Sequence, residues 1–183
     1  MERNQVLAEF ANLTSERDEL QRKLTDLEKM TLDMEASIKT LTEERDELQR
    51  KLSDLDDYSQ QGFLYFSGSF YYVSSHMDNW YNSRSDCLDK GADLLIINTK
   101  EEQEFLNQYR RITWIGLTDK EAEDRWKWVD GTPLTTSFWH RGEPSHGEKQ
   151  DCVETKYFTD TNSWDDADCA HRNFWICEKK AFV

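Results

Sequence analysis

At 183 residues, with 37 acidic and 23 basic side chains and a formal net charge of −14, the chain has room for one ordinary domain plus an extended element. The negative charge excludes nucleic acid and anionic membrane surfaces as partners, since both require a basic face, and makes cations the natural guests. No apolar run approaches the roughly 18–20 residues that cross a bilayer, and Met1-Glu2-Arg3-Asn4 opens no signal peptide, so for an exported chain the anchoring or export segment is expected upstream.

Residues 1–57 contain no Cys, Gly, Pro, Trp or Tyr, whereas all seven Trp and all four Cys lie beyond them, which predicts a boundary near Tyr58. Leu13, Leu20, Leu27, Met34, Leu41, Leu48 and Leu55 recur every seven residues as d positions. Phe10, Arg17, Leu24, Thr31, Ile38, Arg45 and Leu52 fall at a. This pattern predicts a left-handed coiled-coil neck over 1–57, roughly 75 Å long, that joins copies of the chain into a homo-oligomer. The stretch Thr14–Leu27 returns as Thr42–Leu55, an offset of 28 residues that keeps register and makes Arg17 and Arg45 equivalent. Polar residues at a usually specify register or oligomer state, yet Leu at d with mixed a residues fits dimers, trimers and tetramers alike. A lone solvated helix would leave the whole apolar d row in water. Asn12-Leu13-Thr14 is the only glycosylation sequon.

A polar hinge is expected over 58–62, around Ser59-Gln60-Gln61-Gly62, and a globular domain over 63–183. Strands are predicted at Phe63–Phe66 and Phe70–Val73. A first helix should start near Asp78 or Asn79, turn Trp80, Arg84, Cys87 and Leu88 to one face and stop at Gly91. A second opens with the capping box Thr99-x-x-Glu102 and points Phe105 and Tyr109 inward. Short strands follow at Ile112–Gly116, Arg125–Val129, Cys152–Phe158 and Phe174–Glu178, interrupted by a long polar segment from Asp130 to Asp151. An irregular segment of that length inside a compact domain points to a functional loop.

Cys87, Cys152, Cys169 and Cys177 form an even set with no CxxC pair, which favours disulfides in an oxidising, extracellular compartment over zinc or redox chemistry. Spacing leaves all three connectivities open. His76, His140, His146 and His171 show no zinc spacing.

Trp114-Ile115-Gly116-Leu117, Trp126-Lys127-Trp128-Val129-Asp130-Gly131, Glu143-Pro144-Ser145 and Trp164-Asp165-Asp166, followed by Cys169 and Cys177, together resemble a C-type lectin domain spanning about 62–179. With the neck, the arrangement is similar to oligomeric receptors of the asialoglycoprotein-receptor and DC-SIGN-like kind. The resemblance implies an α+β fold of two helices, small antiparallel sheets and a long calcium-binding loop. It also implies the pairs Cys87–Cys177 and Cys152–Cys169, in a short form without an extra N-terminal pair.

The resemblance further implies Ca2+ as cofactor, held with the sugar by Glu143, Ser145, Gln150, Asp165 and Asp166. An auxiliary calcium site would use Asp119, Glu123 and Asp151, with His146 where another oxygen ligand is expected. Calcium takes six to eight oxygens, so carboxylates and amides must converge from distant stretches. A cis peptide before Pro144, as family members have, would turn both flanking side chains toward one ion. Three positions depart from the family pattern: Ser145 and Asp165 stand where Asn is usual, and Gln150 where Glu is usual. Glu before Pro144 is the mannose-type choice. Trp114, Trp126, Trp128 and Trp164 are expected in the core, and Trp139 at the border of the binding surface. The expected function is a calcium-dependent lectin for mannose, fucose or GlcNAc on glycans or glycoproteins, multivalent through the neck and either secreted or the ectodomain of a type II membrane receptor. The alternative is a calcium-independent protein-recognition receptor. No nucleophile motif, phosphate loop or cofactor fingerprint suggests an enzyme.

Overall fold

The computed structural model describes residues 2–145 and 149–181, and the chain divides at Asp54/Leu55 into two units. The first unit is helical: α1 runs Glu2–Gln60, its last turns belonging to the second unit. The absence of Gly and Pro lets the helix run unbroken, and i,i+4 pairs Lys23–Glu19 and Lys51–Glu47, both 2.6 Å, brace its surface. Arg17–Asp18 (2.6 Å) and Arg45–Asp46 (2.7 Å) repeat the same geometry one repeat apart. No residue of α1 is fully buried, and the d residues from Leu13 to Leu48 are 60–65 % exposed.

The helix continues through Ser59 and Gln60, so within the stretch 58–62 only Gln61 and Gly62 leave it, as a turn. Tyr58 stacks on Phe70 at 4.6 Å and meets Phe63 edge-on at 5.3 Å, which holds the last turn in helical form. Gly62 at φ 86° then makes the exit.

In the second unit, β1 (Leu64–Phe66) and β2 (Ser69–Val73) form a hairpin across Ser67-Gly68, both with positive φ as a two-residue turn requires. α2 (Trp80–Asp89) is capped by Asn79, whose side chain accepts from Asn82 N at 2.9 Å. It buries Trp80, Ser83 and Cys87, while Leu88, expected on that face, is exposed. β3 (Asp93–Leu94) leads to α3 (Lys100–Asn107), which begins with the predicted capping box between Thr99 and Glu102. Phe105 points inward, and Tyr109, just past the helix end, is half-buried. Then come β4 (Thr113–Thr118), β5 (Lys127–Trp128), β6 (Cys152–Thr155), β7 (Trp164–Ala167) and β8 (Phe174–Lys180).

The sheet order is β1-β2-β8-β4-β6-β7, with β3 on β8 and β5 on β4; β4 and β8 pair in parallel and the other neighbours antiparallel. β8 therefore joins the hairpin side of the domain to the β4–β6–β7 side. Gly116 is needed in β4 because a Cβ there would lie 2.8 Å from both the Leu94 carbonyl oxygen and Val129 Cγ2. Trp114, Trp128 and Trp164 are buried, whereas Trp126, expected in the core, is half-buried against Trp139. Cys87–Cys177 ties α2 to β8, and Cys152–Cys169 clasps the open end of the β6–β7 pair, the two pairings that the resemblance implied.

β7 was not among the expected strands. Its Trp-Asp-Asp-Ala sequence is buried at all four positions, so neither alternation nor β-branched residues mark it. The strand forms because Cys152, Val153, Glu154 and Thr155 pair residue for residue with Ala167, Asp166, Asp165 and Trp164.

Candidate metal-binding site

The long loop is sewn to β7 by main-chain hydrogen bonds. Trp164 N donates to Phe138 O (2.9 Å), His140 N to Trp164 O (2.9 Å) and Glu143 N to His140 O (3.0 Å). The His140 ring stacks on Tyr157 at 3.5 Å, and its Nδ1 lies 3.2 Å from Asn162 O. Beyond the left-handed turn at Gly142, the Glu143–Pro144 peptide is cis, as the resemblance implied. Glu143 is thereby anchored, through two peptide groups, to the strand that carries Asp165 and Asp166.

Glu143, Asp165 and Asp166 each offer one oxygen within 4.8 Å of the others, the one such acidic group among the described residues. Asp165 and Asp166 are buried and Glu143 is half-buried. Glu143 Oε2 is cut off from solvent without any hydrogen-bond partner. Burial raises the Glu143 carboxyl above its ordinary value, and the charges of Asp165 and Asp166 add to the effect. Three carboxylates held at this separation repel one another, and an oxygen-seeking divalent cation would reverse the repulsion.

The neighbouring positions are drawn in through Asp166. Its Oδ1 accepts from Ser145 N at 2.7 Å and, more loosely, from Ser145 Oγ at 3.4 Å. Gln150 Nε2 donates to the Asp166 carbonyl at 3.0 Å, and its Oε1 lies 3.4 Å from Ser145 Oγ. Of the five positions expected at the principal site, three form the carboxylate cluster and two border it. One charged group there was not expected: Lys156, whose Nζ is 2.9 Å from Asp165 Oδ2. A lysine in a charged chain carries no mark in sequence; the β6–β7 register is what identifies it.

The expected auxiliary residues are less tightly gathered. Asp119 is buried, its Oδ2 accepts from Asp124 N at 3.0 Å, and its Oδ1 has no partner. Burial raises its carboxyl, with smaller contributions from Glu123 and Asp151, so those charges are felt although the three do not close to ligand spacing. His146 lies outside the described residues.

Donor chemistry fits calcium: hard carboxylate oxygens, a buried oxygen awaiting a partner, and no thiolate or imidazole in the acidic group.

Comparison with known proteins addresses the fold and the family. The family model for the lectin C-type domain matches residues 76–179. "CD209 antigen-like protein 2" of Macaca mulatta is 42 % identical over 124 residues, which are 64 % of this chain and 47 % of that protein, so the chain spans about half the length of that relative. Among solved structures, "Trimeric structure of Kupffer cell C-type lectin receptor Clec4f" superimposes with a TM-score of 0.67 at 32 % identity, covering 76 % of this chain and 96 % of that one. A calcium-independent type II antifreeze protein shares the fold at TM-score 0.62 and 26 % identity, covering 66 % and 93 % of the two chains. With its fold, its two disulfides and the family model in agreement, the chain belongs to the C-type lectin domain family.

Proposed function

We propose that this chain is a calcium-dependent carbohydrate-binding ectodomain of mannose-type preference, made multivalent by its neck. The observation that carries the reading is the meeting of Glu143, from the loop, with Asp165 and Asp166, from β7, around a buried and unpartnered carboxylate oxygen. Glu143, Asp165 and Asp166 would hold the ion, with Ser145 and Gln150 at its margin and Asp119, Glu123 and Asp151 at an auxiliary position. Bound there, calcium supplies an oxygen-seeking centre for vicinal sugar hydroxyls. The carboxylates and Gln150 would then hydrogen-bond those hydroxyls, and the Glu143-Pro144 sequence favours mannose, fucose or GlcNAc on glycans and glycoproteins. A single site of this type binds a monosaccharide weakly, ~mM, so useful affinity requires several copies. Self-association through the exposed d row of α1 would provide them, and a trimeric structural relative offers an analogy for their number. The two disulfides and the Asn12 sequon suit an extracellular chain, secreted or held by an anchor outside these residues. No described helix is long and apolar enough to cross a membrane.

Binding of the full chain to immobilised mannan, with calcium and with chelator, tests the reading. Calcium-dependent retention that free mannose competes and galactose does not is the expected result; equal retention in chelator ends it. A second reading, a calcium-independent protein-recognition receptor, draws on the ion pair between Lys156 and Asp165 and on the calcium-independent fold relative. It predicts no calcium-induced rise in melting temperature.

A further inference from the structure

β6 and β7 pair so that Glu154 stands directly opposite Asp165. Like charges facing each other across a strand pair are destabilising, and here both residues are more than nine-tenths buried, 6 % and 7 % exposed. Burial holds the Glu154 carboxyl above its ordinary value, opposed by its hydrogen bond to Asn173 and by Lys156. Lys156 lies two residues beyond Glu154, and alternation along an extended chain returns it to the same face. Its Nζ is 2.9 Å from Asp165 Oδ2 and 3.8 Å from Glu154 Oε1. The other Glu154 oxygen is already taken, accepting from Asn173 Nδ2 at 2.6 Å.

We propose that Lys156 is a built-in counter-ion of the metal site: without metal it bridges Glu154 and Asp165, and it competes with a divalent cation for Asp165, so that its charge lowers the affinity of the site for calcium. This rests on the reading of Glu143, Asp165 and Asp166 as calcium ligands. Two effects of the ammonium act in the same direction. It stabilises the metal-free state, in which two buried carboxylates would otherwise face each other uncompensated. It also places a positive charge at one ligand, against an approaching cation. Because the lysine side chain is 44 % exposed, its flexible stem can carry the ammonium into water when Asp165 turns to an ion.

Calcium titration calorimetry on the full chain, with melting in chelator as a parallel measurement, tests the proposal in wild type, K156M, K156Q and K156R. K156Q keeps hydrogen-bonding capacity at the buried pair in case K156M does not fold. The neutral variants should bind calcium about tenfold more tightly than wild type, the order expected for removing one nearby charge from a partly screened site. They should also melt lower than wild type in chelator, and K156R should resemble wild type in both measurements. Calcium binding that is measurable and equal in all four proteins, or weaker in the neutral variants, overturns the role of Lys156 and leaves the calcium site standing. Flat traces in all four, with no calcium-induced rise in melting temperature, remove the calcium site and the proposal together.

Discussion

The two units of this chain solve the problem of burial in opposite ways. α1 buries none of its residues, whereas the domain beyond it encloses two clusters of apolar side chains and closes them with two disulfides. A helix of intrinsic propensity and surface ion pairs gains only tenths of a kilocalorie per pair. The apolar d row thus has value only when something covers it, while the domain's core is satisfied within one chain. What separates them is the source of cover: the domain finds it in the same sequence far away, whereas the d row finds none within its own helix.

The sharpest way to break this contrast is to make the d row polar. Replacing Leu27 and Leu41 by Asp should dissolve the oligomer, seen as a monomer by analytical ultracentrifugation, and reduce binding to a dense mannan surface by about a hundredfold or more. Calcium affinity of each domain should stay unchanged. Loss of both together would mean that the units are not independent.

The disulfides probe the other side of the comparison. Cys87 and Cys177 are separated by 90 residues and Cys152 and Cys169 by 17. Loop-closure entropy assigns about 4–5 kcal/mol to the first and about 3 kcal/mol to the second. Paired Cys-to-Ala replacements, followed by urea unfolding, should show that order. The short pair should nonetheless matter more for calcium, because it clasps the strands that hold Asp165 and Asp166.

A smaller effect concerns pH. The Glu143 carboxyl is raised, by burial first and by Asp165 and Asp166 next, so protons compete for its oxygens at a higher pH than for an ordinary carboxylate. In the metal-free domain, protonating a group whose folded-state value is raised relieves repulsion, so its destabilising contribution fades as pH falls through that value. Calcium affinity moves the other way and declines over the same interval. Calorimetry at neutral and mildly acidic pH should show a several-fold weakening, while the oligomer persists; equal affinity at both would contradict it.

Much of this was legible in sequence where local chemistry decides structure. The d row names the helix, Thr99 and Glu102 name the start of α3, and Asn79 caps α2. Outcomes set by distant partners were not legible. Leu88 fits the apolar spacing of α2 yet is exposed, because the face of the helix is set by Trp80 and Cys87 reaching the core. β7 carries two acidic residues that read as ligands, and only its pairing with β6 reveals a strand. Cysteine spacing left three pairings open, and family likeness chose between them. Lys156 shows the limit most clearly: its role exists only once Glu154 and Asp165 face each other.

The indole of Trp164, adjacent in sequence to Asp165, donates to Gln103 Oε1 at 2.7 Å and meets Trp128 and Trp139 edge-on at 5.7 and 5.6 Å, while Trp139 in turn lies 4.9 Å from Trp126. Chromophores this close share their excited states, so the near-ultraviolet dichroism of the domain is a collective property of the four rings. A reorientation of a few degrees among these rings would register optically, which makes the strand that carries Asp165 observable without an attached dye.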